Sequence, residues 1–224
     1  MVVRGPSLMV TPFPLGRVPE RDPRSLNFAA PATTPVTSKR WRRYGTVLDQ
    51  GDLGSCTGNA GEGCLNHAPF HVVGTTCAKE PDAVSLYSAA TAADAYPGQY
   101  PPEDTGSSGL AVAKVLKAWG RITGYTHAFD LDHILSALMS GPLIVGTDWL
   151  NNMFYPDPNG LVQPTGSVAG GHEYVLNGAD VTSKMLRFQN SWGTGWGVNG
   201  HFFMTFDGFS SLLADDGDAI LFTR

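Results

Sequence analysis

The sequence is poor in cysteine, with three thiols, Cys56, Cys64 and Cys77, in 224 residues. An odd and sparse set cannot build a disulfide scaffold, so at least one thiol stays free in a monomer and a reactive thiol becomes the first thing to look for. A Cys64 to Cys77 disulfide remains an alternative for an exported chain. Positive charge is also scarce: 15 Lys and Arg stand against 20 Asp and Glu, a formal net charge of -5 spread through the chain. Binding to phosphate backbones needs clustered cations, so nucleic acid is not expected as a partner. The one basic cluster, Lys39, Arg40, Arg42 and Arg43 around Trp41, reads as a solvated segment leading into the fold. No run of about 18 apolar residues occurs, which excludes a membrane-spanning helix. The N-terminus, with Arg4, Pro6, Pro12 and Pro14, lacks the roughly seven consecutive apolar residues of a secretory h-region. A soluble monomer, cytoplasmic by default, is the expectation.

What is present is a globular composition, 42% hydrophobic, enough for one substantial core or two small lobes. Residues 1–44 carry seven prolines and read as an extended lead-in lying on the surface. Residues 45–224 form the domain. Its first part, to about 140, is helical: one face of Val84, Tyr87, Ser88, Thr91 and Ala95 predicts a helix over 82–95, and Leu110 to Trp119 and Leu131 to Met139 predict two more. Gly120 and Gly141 are candidate helix stops, and 96–109 reads as a loop. From about 141 the pattern changes to short runs at Leu143 to Val145, Tyr174 to Leu176, Met185 to Phe188, His201 to Phe206 and Ala219 to Phe222. These predict strands, antiparallel because they are closely spaced, with a tight turn at Asn177-Gly178. The class is α+β, helices first and strands later.

Three separated segments carry polar reactive groups among glycines: residues 48–57 around Gln50 and Cys56, residues 170–174 around His172, and residues 189–197 around Asn190. A thiol becomes a good nucleophile when an imidazolium or a helix N-terminus lowers its pKa, so Cys56 needs a histidine beside it in space, and His172 suits that role. A third group must fix the tautomer and orientation of the imidazole; the amide oxygen of Asn190 can accept the ring N–H without adding charge. Attack on an acyl carbon makes an oxyanion, for which the Gln50 side-chain amide and the Cys56 backbone N–H are candidate donors.

Together these segments, in the order Gln, Cys, His, Asn, resemble the papain-like cysteine peptidases. The resemblance rests on Asp49-Gln50-Gly51 with Gly54-Ser55-Cys56, on Gly171-His172, and on Asn190-Ser191-Trp192-Gly193 with Gly195-Trp196-Gly197. Less specific similarity extends from about Arg21 to the end, including Ser85 to Ser88, Asp104 to Gly109 and Gly141-Pro142. It implies a two-lobed fold: Cys56 opens a helix in a helical lobe, His172 and Asn190 sit on an antiparallel, barrel-like lobe, and the active-site cleft lies between. It further implies peptide-bond hydrolysis through a thioester, a peptide or protein substrate, no cofactor, Gly106 and Gly171 supporting the substrate, and Trp192 shielding the His172 to Asn190 bond. Thr57-Gly58 stands where plant and animal members usually have Trp-Ala, and Leu53 where many have a disulfide cysteine, so bacterial members are the nearer pattern. Gly58, Gly61 and Gly63 weaken any helix starting at Cys56 by about 1 kcal/mol each relative to Ala. Glu173, unusual beside the histidine, would face away from it in a strand.

Two other functions fit the same residues: a noncatalytic binding protein that kept the cleft, and a Cys-His acyl transferase or amidase. No metal is expected. Cys64, His67, His71 and Cys77 have a spacing a zinc site can use, but Pro69 interrupts a continuous ligand helix, and Leu176 stands where an H-E-x-x-H motif needs its second histidine.

Overall fold

The structure is a computed structural model that describes residues 11–20, 22–29 and 36–224. Arg4, Pro6, Arg21, Pro31 and Pro35, which entered the sequence reading, lie outside the described residues. After a 3-10 turn at Pro23–Phe28, the chain runs β1 (Lys39–Arg40), α1 (Cys56–Leu65), α2 (Glu80–Thr91), α3 (Gly109–Ala118), β2 (Gly124–Ala128), α4 (Leu131–Leu138) and β3 (Leu143–Leu150). It continues through β4 (Val168–Asp180), β5 (Met185–Gln189), β6 (His201–Thr205), α5 (Phe206–Ala214) and β7 (Asp218–Thr223). The sheet is antiparallel throughout, in the order β2-β7-β3-β4-β5-β6, with β1 added against β4. Helices first and strands later is the observed arrangement, and one apolar core joins them.

Helix α1 is buried at all ten positions. It forms despite its glycines because they are the interface: a Cβ at Gly58 would overlap the Ala83 carbonyl of α2 and stand 2.8 Å from the Tyr87 nitrogen. Close packing on α2 outweighs the poor intrinsic propensity, as is usual for helices in a protein interior. The buried Glu62 carboxylate of α1 takes a forked ion pair from Arg121, with Nη2 to Oε2 at 2.9 Å. The other helices are closed by local caps: the Lys79 N–H donates to Asp82 (2.7 Å), the Ala111 N–H to Ser108 (2.9 Å) and the His133 N–H to Asp130 (2.8 Å).

Several expectations are corrected. The helix expected at 82–95 starts at Glu80, because Pro81 fits a first turn, and ends at Thr91. The expected turn at Asn177-Gly178 lies inside β4, near its C-terminal end, where a bulge displaces the register between Leu176 and Gly178. Asn177 is buried there because its amide has partners: its nitrogen meets His67 Nε2 (2.9 Å) and its oxygen accepts from Arg187 (2.7 Å). The chain reverses later, around Lys184 at φ 53°. Strand β2 joins the sheet before residue 141, beside β7. The lead-in is not simply a surface segment: Arg17 is 5% exposed. The basic cluster is partly built in, with β1 on β4 and Trp41 Nε1 donating to the Leu138 carbonyl at 2.8 Å.

Candidate active site

Cys56 is the first residue of α1, and no side chain caps that helix start. The positive end of the helix therefore faces the thiol, which favours a thiolate. His172 lies in β4 opposite Thr147 of β3, and Asn190 follows the end of β5. His172 Nε2 and Asn190 Oδ1 are 2.7 Å apart, so Nε2 carries the proton and donates. The other ring nitrogen, Nδ1, is buried and has no partner among the described residues. No hydrogen bond joins it to Cys56; the sulfur instead lies against the backbone N–H groups of Glu173 and Gly16.

The Gln50 and Asn190 segments are tied into one unit. The Gln50 N–H donates to the Ser191 carbonyl (2.9 Å), the Ser191 hydroxyl to Gln50 Oε1 (2.6 Å), and the Ser191 N–H to Asn190 Oδ1 (2.8 Å). Gln50 Nε2 is occupied, donating to the Leu53 carbonyl at 2.8 Å and standing 3.5 Å from the Pro14 carbonyl. Trp192 stacks on the His172 ring with centroids 4.7 Å apart, and Trp149 meets the same ring edge-on at 5.0 Å. Both tryptophans are buried, so the His172 to Asn190 bond sits in a dry aromatic setting that strengthens it.

Residues 13–20 cross this site. Phe13 stacks on the outer face of Trp192 (4.6 Å), and Trp192 Nε1 donates to the Pro14 carbonyl (3.3 Å). The Gly16 and Arg17 N–H groups both donate to the Gly171 carbonyl (3.1 and 3.0 Å). On the other side, the Ser107 N–H donates to the Gly16 carbonyl and the Val18 N–H to the Ser107 carbonyl, each at 2.8 Å, a parallel bridge. Glu20 then takes Ser108 (2.5 Å) and Lys114 (2.8 Å). The contact is too close for side chains: Gly106, at φ 72°, has its missing Cβ pointed into the Gly16 carbonyl. Thus Gly106 and Gly171 both border the chain's own segment.

Burial governs the charge of both groups. It pushes the Cys56 thiol up to about 12 and holds the His172 imidazole down to about 4, so thiol and imidazole are both neutral at pH 7.

Three contributions at the site escaped the sequence. Asp104 binds the Gly54 N–H (2.8 Å) and the Tyr87 hydroxyl (2.5 Å), and that hydroxyl accepts the Gly106 N–H (2.9 Å), fixing the nucleophile loop to the far wall. Arg17 is the second, hidden in a Pro-rich stretch. Asp218 is the third, an ordinary strand-end carboxylate until the fold puts it against Arg17. No grouping of three or more His, Cys, Asp or Glu poised for a metal occurs among the described residues. Of the possible zinc ligands, Cys64 turns to the Pro142 carbonyl and His67 to Gly63 and Asn177, while Cys77 and His71 stand together, 3.9 Å from sulfur to Nδ1. All three cysteines are unpaired thiols. No helix among the described residues is long and apolar enough to cross a membrane.

No family model and no curated protein sequence matches the chain. Solved structures do. Xylellain, a cysteine protease from Xylella fastidiosa, is 18% identical with a TM-score of 0.71 over 96% of this chain and 97% of that one. Digestive procathepsin L 3 from Tenebrio molitor larval midgut is 16% identical, TM-score 0.65, over 94% and 76%. A Carica candamarcensis cysteine protease in complex with E-64 is 16% identical, TM-score 0.62, over 85% and 99%. At such identities the likeness speaks for architecture, and together with the helix-then-sheet order it shows that the chain has the papain-like cysteine protease fold.

Proposed function

We propose that the chain is a cysteine peptidase that hydrolyses peptide bonds through a thioester. The observation that carries the reading is the ring of His172: Asn190 holds Nε2, and Nδ1 remains without a partner on a strand beside the start of the Cys56 helix. In the reaction Nδ1 takes the Cys56 proton, the thiolate sulfur bonds to the acyl carbon, and the C–N bond breaks as His172 returns the proton to the leaving amine. Water, deprotonated by the same nitrogen, then cleaves the thioester and restores the thiol. Gln50 Nε2 and the Cys56 N–H serve the oxyanion once Nε2 is released from the Pro14 side.

In the form described, residues 13–18 keep the site closed, and turnover needs them displaced. The Gly16 carbonyl is spent on Ser107 rather than turned to Gln50, so the segment sits over the thiol without presenting an acyl carbon for attack. A noncatalytic binding protein is the second reading, favoured by this filled cleft and the neutral pair beneath it. Labelling with E-64, the epoxide inhibitor bound in the Carica candamarcensis neighbour, separates the two. Mass spectrometry should place an adduct on Cys56 that is lost in His172→Ala. Absence of any adduct after the segment is loosened by Arg17→Ala, or equal reaction at Cys64 and Cys77, favours the binding protein.

A further inference from the structure

The side chain of Arg17 enters a pocket beside the candidate nucleophile. Its Nη2 donates to the Asp218 carboxylate and to the Asp216 carbonyl (2.6 Å). The Glu173 carboxylate, fully buried, comes to the same place from β4, because residue 173 points away from His172 and toward the helical side. Gly146 of β3 marks the convergence: a Cβ there would lie 2.7 Å from Asp218 Oδ1 and would overlap both Arg17 Nε and Glu173 Oε2. At Gly109 a Cβ would overlap Glu173 Oε1. Both walls lack side chains where the carboxylate and guanidinium sit.

The pocket is charged and incompletely satisfied. Both oxygens of Glu173, and Arg17 Nε and Nη1, are buried without a hydrogen-bond partner. The chain's own arginine balances the charge here without using all the acceptors. Remove it and the carboxyl groups of Asp218 and Glu173 line the pocket, with the buried oxygens of Glu173 still lacking donors. An aliphatic side chain placed there would leave those acceptors without donors, which burial penalises. A guanidinium, with five donors in a planar fork, can meet them with paired bonds; an ammonium can meet them only as a point charge.

We propose that this pocket, walled by Glu173 and Asp218, selects an arginine, and less strongly a lysine, adjacent to the scissile bond of the peptide substrate, with Arg17 as the chain's own stand-in. The inference rests on the peptidase reading and names its substrate class. The segment then does two things at once: it covers the thiol, and it neutralises the pocket until a basic substrate replaces it.

The test uses the full chain. Arg17→Ala vacates the pocket; Arg17→Met, which keeps the stem, replaces it if the alanine variant does not fold. Either is profiled against fluorogenic peptides varied one position at a time around the cleaved bond. The expected result is one position at which Arg exceeds Leu by about 100-fold in kcat/KM, with Lys between them. Adding Asp218→Asn or Glu173→Gln should cut the Arg to Leu ratio at that position by about tenfold or more, chiefly through loss on the Arg peptides. Peptides cleaved with no position favouring Arg or Lys, or a ratio unmoved by both carboxamide variants, overturns the pocket assignment and leaves the peptidase reading standing. If no peptide is cleaved and E-64 leaves Cys56 unmodified, the peptidase reading falls and the pocket assignment with it.

Discussion

His172 and Glu173 are neighbours on one strand, both fully buried, and they live in opposite chemical worlds. His172 shares its face with Thr147, Trp149 and Tyr174, is stacked by Trp192, and has its one hydrogen bond to an uncharged amide. Glu173 faces the other way among Gly146, Gly109, Arg17 and Asp218, with ionic neighbours and no hydrogen bond. The alternation of a β-strand therefore places the proposed chemistry and the proposed recognition a single residue step apart. The aromatic face keeps a ring in one orientation; the charged face keeps an opposite charge close.

Breaking the aromatic face should have the largest effect. His172→Ala removes the proposed proton acceptor, and kcat/KM for any cleaved peptide, measured in the Arg17→Ala background, should fall by about 10⁴-fold with an unchanged circular dichroism spectrum. Asn190→Ala leaves the ring present but unoriented, and a loss nearer 10²-fold is expected in the same assay. A loss below about threefold would mean that aromatic packing alone orients the ring. Breaking the charged face should act with the opposite sign: Arg17→Ala weakens the hold of residues 13–18 and should raise the rate of Cys56 alkylation by E-64 about tenfold, roughly 1.4 kcal/mol of segment release. An unchanged rate would show that Phe13 on Trp192 and the Gly171 bonds hold the segment without the ion pair.

The same division explains what the sequence reveals. The helical half is legible because apolar residues recur at helical spacing in α3 and α4, and the strands because they are short apolar runs, as in β7 where Ala219 to Phe222 are all buried. The three motif segments are legible because a thiol, an imidazole and an amide among glycines have few other uses. Asn177-Gly178 misleads because its turn chemistry is local, while a bulge and the partners His67 and Arg187 are tertiary. Helix α1 looks weak because the reason for its glycines, the Ala83 carbonyl, belongs to another helix. The Arg17 pocket is invisible for a related reason. Its three charges come from residues 17, 173 and 218, and no local pattern announces that an arginine in a Pro-rich stretch will be buried between two distant carboxylates.

The two faces should also pull stability in opposite directions with pH. Burial holds the His172 imidazole down to about 4, so between that value and the ordinary histidine value near 6.5 the unfolded chain binds more protons; this contribution is full above 6.5 and is lost as pH falls toward 4. His67, also held near 4 by burial, and His201, near 3 for the same cause, add to that slope. Burial and the nearby Asp218 push Glu173 well above the ordinary carboxyl value, so its contribution is present below about 4.5 and is lost as pH rises through its folded value. Glu62 and Glu80, raised by burial, lean the same way. Urea unfolding at steps between pH 4.5 and 6.5 reads the sum, and each group contributes at most about 1.4 kcal/mol per pH unit. Glu173→Gln should make stability rise more steeply with pH, whereas His172→Gln should flatten the rise. If the two variants shift the slope in the same direction, the strand does not separate a neutral face from a charged one.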